Sequence, residues 1–430
     1  MRRLVATISL LGCASTAQIS TAGSDGGPGG TTDARPDAPA VDAGPPPLAS
    51  CAPERWRALP PVRVSGPDEQ GVSYLQAAPA DDGAWVAYRR TSNTFDEDLR
   101  IARVTDDGAP HPVTRGATDL LRPLTTMDIG RRTLVSMLVT QDALEMLVDG
   151  TDDIEPCVWA RFAQGAPLAR RGFHPSAAAP GTSLSRCVGL LRTSTGASFL
   201  SERIGEPGRA DVVRLDGAGA LRGRSSLQLA NASTMRDRLR VALDGHDFLA
   251  AWVDVDAGVP QLHVQRFGEG GEARGGPSIL ALGTFPLGEL HMARTPSGAA
   301  LVWHAAIPGE GSGQYYVAAA AVRDDASFAG DLRRYRSFGV VSRGLSVASR
   351  GRDVFVTSSP RNSPNGVNPR LLILDEQLTL RRTLDLGLEG DFVGDGSAGV
   401  VATPRGLMAF GSARQSMTPA ALYAVPVRCD

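Results

Sequence analysis

The stretch that decides the fold runs from Leu239 to Gly271: LRVALDGHDFLAAWVDVDAGVPQLHVQRFGEGG. It contains a short apolar run closed by a glycine turn, a second apolar run starting just past that turn, then a loop and a third run of alternating polarity. Runs of four to eight residues rich in Val, Leu, Phe and Trp, bounded by Gly, Asp and Pro, read as β-strands. The same order returns in LHMARTPSGAALVWHAA (290–306) followed by YYVAAAAVRDD (315–325), and in LSVASRGRDVFVTSS (345–359) followed by PRLLILDEQ (369–377).

Anchoring on the turn glycine extends the repeat to seven instances, at Gly83, Gly130, Gly196, Gly245, Gly298, Gly351 and Gly406, spaced 47 to 66 residues apart. Strand-like runs precede the anchors, among them LRPLTTMDIG (121–130), CVGLLRTSTG (187–196) and GVVATPRG (399–406). A third run follows each, as in LRIARVTDDG (99–108), CVWARFAQG (157–165), DVVRLDGAG (211–219) and ALYAVPVRC (421–429). Weaker fourth runs are SSLQLA, SILALG and RRTLDL. No segment sustains a helical period. Four strands per roughly 50 residues, repeated seven times, resembles the pattern of a seven-bladed β-propeller over residues 55–429. A pair of β-sandwiches with coincidental turns is the competing architecture. The WD dipeptide and the kelch signature are absent, so no particular propeller family is indicated.

The cysteines bear on closure. The seventh repeat stops at its third strand, while ERWRALPPVRVSG (54–66) has strand character and no blade of its own. If this segment supplies the missing outer strand, antiparallel to 421–428, Cys51 falls beside Cys429 and a disulfide ties the ring shut. Cys157 opens the third strand of the second repeat and Cys187 the first strand of the next, which makes them the second expected pair.

The N-terminus reads MRRLVATISLLGCAS, a charged start, a short apolar run and small residues. Leu10-Leu11-Gly12-Cys13 resembles the lipobox of bacterial lipoproteins. That resemblance implies a signal peptide over 1–12 and a lipid on Cys13; cleavage after Ala17 or Ala22, giving a freely secreted protein, is the other reading. Residues 13–50, rich in Gly, Pro, Ala and Asp, cannot bury enough apolar surface to order themselves, and are expected to form a disordered tether. As a coil they would span roughly 30–35 Å. The expected organisation is thus signal peptide (1–12), lipidated tether (13–50) and propeller (51–430). The expected address is the bacterial cell envelope, through the outer membrane.

The chain has 430 residues and a formal charge of −2, which gives no support to nucleic-acid binding. It contains no lysine; all 44 basic residues are arginine, as codon pressure in a GC-rich genome would produce. No Walker lysine, Schiff base or Ser-x-x-Lys nucleophile can therefore exist. No zinc motif or Gly-x-Ser-x-Gly elbow is present, and no cofactor or metal is expected. GDGSAG (394–399) fits Gly-x-Gly-x-x-Gly, but a strand-like run follows it where a dinucleotide site needs a helix. DVDAG (254–258) starts like a calcium loop and reads instead as a hairpin turn.

Four of the six histidines, His246, His263, His291 and His304, fall in the fourth and fifth repeats, on different strands and a turn. Trp85, Trp252 and Trp303 alternate with apolar neighbours in second strands and are expected in the core. The first strands carry a polar residue after their first apolar one, at Arg122, Arg240, His291 and Ser346. These are the candidate channel-lining residues; a partly basic channel would favour an anionic ligand, although solvated channel walls carry such residues without any ligand. The expected function is a monomeric, non-enzymatic binding or scaffold module at the cell envelope, meeting protein or polysaccharide. The alternatives are a propeller hydrolase or lyase with its site at the channel, and a secreted carbohydrate-binding propeller.

Overall fold

In the computed structural model, residues 1–50 lie outside the described residues, as do 92–96, 117–132, 150–156, 174–184, 230–239, 307–314, 337–344, 359–368, 389–397, 414–419 and several breaks of five residues or fewer. The rest of 51–430 is described, and it forms seven antiparallel sheets. Blade 7 includes β1 (Trp56–Ala58) and β2 (Val62–Arg63), which the chain lays down first. Blade 1 is β3 (Val72–Ala80), β4 (Gly83–Thr91), β5 (Glu97–Thr105) and β6 (Arg115–Gly116). Blade 2 is β7 (Thr133–Thr140), β8 (Ala143–Asp149), β9 (Cys157–Ala163) and β10 (Ala169–Phe173). Blade 3 is β11 (Ser185–Thr193), β12 (Gly196–Arg203), β13 (Arg209–Leu215) and β14 (Leu221–Gln228). Blade 4 is β15 (Arg240–Asp244), β16 (Asp247–Asp256), β17 (Val259–Gly268) and β18 (Ser278–Ala281). Blade 5 is β19 (Pro286–Thr295), β20 (Gly298–Ala306), β21 (Tyr315–Arg323) and β22 (Arg333–Arg336). Blade 6 is β23 (Leu345–Arg350), β24 (Asp353–Ser358), β25 (Arg370–Leu374) and β26 (Leu380–Asp385). Blade 7 is completed by β27 (Ala398–Thr403), β28 (Gly406–Ala413) and β29 (Ala421–Cys429).

The first strands of successive blades pack on one another all the way round, from β3 through β7, β11, β15, β19 and β23 to β27, which returns to β3. This contact cycle makes the molecule a seven-bladed β-propeller. The core is a ring of seven apolar layers, one per blade interface. Each second strand feeds two layers at once, which is why these strands read as unbroken apolar runs. In β20, Ala299, Leu301 and Trp303 face blade 4 while Ala300 and Val302 face blade 6. The expected core tryptophans follow the same rule. Trp252 and Trp303 are buried, and Trp85 is partly buried with the Arg103 guanidinium over its ring.

The glycine anchor has a steric cause. A Cβ at Gly83, Gly298 or Gly406 would sit 1.9–2.2 Å from a third-strand carbonyl oxygen, of Val104, Val322 and Val427 respectively. The same register position holds Ala143 in blade 2, Asp247 in blade 4 and Asp353 in blade 6. Gly130 is therefore not the turn of blade 2: that hairpin joins β7 to β8 at residues 141–142 and carries no glycine. The run 121–130 lies outside the described residues, and TLVSMLVT (133–140) is the first strand. Counted at the true register position (83, 143, 196, 247, 298, 353, 406), the blades are 51 to 60 residues apart, more even than the glycines suggested.

Residues 51–63 and β29 close the ring. β1 pairs antiparallel with β29, Trp56 opposite Cys429, and β2 pairs with the same strand further along, Val62 opposite Ala424. A disulfide joins Cys51 to Cys429, with a Cα–Cα distance of 6.0 Å across a sequence separation of 378. A second joins Cys157 to Cys187, with Cα atoms 5.7 Å apart, across the interface of blades 2 and 3.

Candidate functional site

Antiparallel pairing sends the loops to two opposite faces. On one face the first and second strands are joined by two residues in every blade: 81–82, 141–142, 194–195, 245–246, 296–297, 351–352 and 404–405. The same face carries the turns between third and fourth strands, and five of these share one hydrogen-bonded form. In that form Thr105 N donates to Ala109 O (2.9 Å), Asp216 N to Ala220 O (2.9 Å), Gly268 N to Glu272 O (2.8 Å), Arg323 N to Ser327 O (2.8 Å) and Asp375 N to Thr379 O (3.0 Å). Each turn has a positive φ at its fourth residue, at Gly108, Gly219, Gly271, Ala326 and Leu378.

Three of these turns are gripped by an arginine of the preceding blade. Arg161 of β9 donates to Gly217 O (2.6 Å), Arg266 of β17 to Asp324 O (3.0 Å), and Arg428 of β29 to Asp106 O (3.5 Å) and to the Asp107 carboxylate. At the channel end of this face, Arg192 donates to Val139 O in blade 2, Arg350 donates to Pro404 O (2.9 Å) in blade 7, and Arg294 pairs with the Asp324 carboxylate (2.5 Å). These arginines carry no local sequence signature, because their partners lie tens of residues away, for all but Arg294 in a neighbouring blade. The recurrence of Gly at the fourth position of 105–109, 216–220 and 268–272 (Gly108, Gly219 and Gly271) is the available signal. This face is held together by its own polar groups.

The other face differs from blade to blade. Its loops between second and third strands range from two residues (257–258) to eleven (359–369), with 92–96, 150–156, 204–208, 307–314 and 414–420 between these limits. The fourth strands end, and the next first strands begin, toward this face as well. Loops of unequal length on a rigid scaffold are where binding residues concentrate.

Of the candidate channel residues, Arg122 lies outside the described residues, and Arg240 begins β15 opposite Ala251. His291 sits in β19 opposite Val302 and is half-buried. Ser346 is half-buried in β23, and its hydroxyl accepts a hydrogen bond from Val400 N of blade 7 at 3.3 Å. All but Arg122 are thus placed on innermost strands. The histidines are dispersed. His263 is buried toward blade 3 and stacked on Trp252 (centroids 5.4 Å apart), and burial lowers its pKa against the opposing pull of Asp254 and Asp256. His304 faces blade 6, and burial pushes it down to about 4. His246 lies outside the described residues.

GDGSAG runs into β27, a strand, so the local structure a dinucleotide site requires is missing. DVDAG is the end of β16 and the two-residue hairpin turn Ala257–Gly258 that leads into β17, both turn residues at positive φ.

No family model matches the chain, and no curated protein matches it in sequence. Solved structures with a similar chain course include the β-propeller domain of the Trilobed protease from Pyrococcus furiosus, described as having an open velcro topology. It is 6% identical, with a TM-score of 0.45, covering 83% of this chain and 94% of that one. AofleA from Arthrobotrys oligospora is 10% identical, with a TM-score of 0.44, covering 78% and 90%. A subtype N11 neuraminidase-like protein from a flat-faced bat isolate (H18N11) is 10% identical, with a TM-score of 0.41, covering 89% and 94%. At such similarity neither activity nor ligand carries over, and the assignment of seven blades stands on the strand pairing described above.

Proposed function

We propose that the protein is an exported lipoprotein of the bacterial cell envelope, whose propeller is a binding or scaffold module working through the face of unequal loops. The observation that carries the binding role is the asymmetry of the faces. One carries seven two-residue hairpins and interblade clamps, the other loops of two to eleven residues. A rigid ring with one variable face suits recognition of an envelope protein or polysaccharide. Export is supported by two disulfides, which persist in oxidising compartments. They account for four of the five cysteines and leave Cys13, the residue of the lipobox-like LLGC.

Expression in a bacterial host with a labelled fatty acid, followed by mass spectrometry of the mature N-terminus, tests the anchor. The expected result is a diacylglyceryl-modified Cys13, abolished by Cys13→Ala. An unmodified N-terminus beyond Cys13 overturns it in favour of free secretion. Loop grafting tests the binding face: replacing 359–369 by the Ala257-Gly258 turn should abolish capture of envelope material while the fold survives. Undiminished capture would move the site to the channel or the other face.

A further inference from the structure

The two disulfides differ in what surrounds them. Cys157 and Cys187 are 0% and 3% exposed, inside the layer formed by Trp159, Phe199, Val213 and Leu215. The pair at the seam is different: Cys51 is 9% exposed and Cys429 is exposed next to the chain end. Reactivity of a disulfide toward an incoming thiolate depends on access to the sulfur. A reductant meets one of these bonds at the surface and the other only after blades 2 and 3 part.

What the outer bond secures is weakly held otherwise. β1 contributes three paired residues and β2 two, whereas β28 pairs eight with the other side of β29. Between β1 and β2 stand Pro60 and Pro61, which have no N–H to give to a ladder. Leu59 N donates to Pro426 O (2.8 Å) and Val64 N to Leu422 O (2.8 Å) on either side of that break. The Arg57–Asp430 ion pair (3.2 Å) is exposed on both partners and holds little. The firm anchor is Trp56, 2% exposed, edge-on to Phe355 at 5.0 Å. Arg382 of blade 6 adds a hydrogen bond to Pro53 O (3.1 Å) and one to Glu54 O (2.5 Å).

We infer that the Cys51–Cys429 disulfide is a reducible latch: a dithiol opens it while the Cys157–Cys187 bond stays closed, and opening frees residues 51–63 from the edge of β29. The exchange balances as an ordinary dithiol reduction. A reductant thiolate attacks the exposed Cys429 sulfur, the Cys51 thiolate leaves and takes up a proton, and the second reductant thiol resolves the mixed disulfide. Two electrons pass to the latch, and the reductant becomes a disulfide. The freed strand withdraws Trp56 from Phe355 and leaves the outer edge of β29 unpaired, while blades 1 to 6 keep their own four strands.

Titrating the oxidised protein with dithiothreitol, trapping thiols with N-ethylmaleimide and mapping peptides reads the order of reduction. Cys51 and Cys429 should be trapped at reductant concentrations at least tenfold below those that expose Cys157 and Cys187. At that midpoint, hydrogen exchange over 51–65 should rise at least tenfold more than exchange over β3 to β26, which rises only as far as global stability falls. The Cys51→Ala/Cys429→Ala double variant, untreated, should show the same exchange pattern. Simultaneous reduction of both bonds overturns the inference. So does selective reduction that leaves exchange over 51–65 unchanged.

Discussion

At Gly219 a methyl group would sit 2.1 Å from the Trp159 ring, because the outer turn of blade 3 lies directly on the third strand of blade 2. The backbone there has φ +77°, a region that costs an L-residue about 1–2 kcal/mol. Adding the overlap, Gly219→Ala should destabilise by about 2–4 kcal/mol. Gly276→Ala, where a Cβ meets nothing within 4 Å, should change stability by less than about 0.5 kcal/mol. Denaturant unfolding of the two variants tests this, and equal losses would refute the steric account. His304 offers a second test at this scale. Its folded pKa of about 4 lies below the unfolded value near 6.5, so between those values the unfolded chain binds the proton and the folded chain does not. Stability should hold above pH 6.5 and fall from 6.5 toward 4, with His304 contributing on the order of 3 kcal/mol at the acid end. His263, shifted in the same direction, steepens the fall. His304→Gln should remove its share of the slope in unfolding curves taken at successive pH values.

Between elements, the recurring device is an arginine on the third strand of one blade clamped to the turn of the next. Arg266 joins Asp247 of its own blade (2.8 Å) to Asp324 O of blade 5 (3.0 Å). Arg266→Ala should cost about 1–2 kcal/mol, and Arg266→Lys should recover little, because a point charge cannot hold both partners at the guanidinium's angles. The local signature is faster amide exchange over 323–327, where a general loss of stability would instead speed exchange throughout the ring. None of these clamps could be read from the chain, since Arg161 and Gly217, or Arg428 and Asp106, meet only once the blades are stacked. The hairpin glycines were readable for the opposite reason. A third-strand carbonyl pressing on the second strand is a constraint inside one blade, and at Gly83, Gly298 and Gly406 it forbids a side chain. Blade 2 was misplaced because Ala143 holds that position without a glycine to mark it. The channel residues were readable only as strand positions, because which side chains meet there depends on seven strands drawn from distant parts of the sequence.

For the whole molecule, the consequence of a ring-shaped core is that it has no end. Every apolar layer lies between two blades, including the one that joins the last blade to the first, where Val401, Met408 and Phe410 meet Val72, Val86 and Tyr88. Parting the ring anywhere bares two such faces, so its closure carries weight out of proportion to the few residues in β1 and β2. The pairing of Cys51 with Cys429 was foreseeable from a missing outer strand and an orphan segment, because closure is a property of the repeat as a whole. In the chain-entropy account, a link across 378 residues contributes about 5–6 kcal/mol, against about 3–4 kcal/mol for the 30-residue loop of Cys157 and Cys187. Removing the outer bond by Cys51→Ala/Cys429→Ala should therefore lower the denaturant midpoint more than Cys157→Ala/Cys187→Ala does. The inner pair's buried site adds a packing loss of its own, which works against that order. If the outer variant still proves the less stable, loop length governs. If the inner variant loses as much or more, packing within the layer between blades 2 and 3 outweighs the closure of the ring.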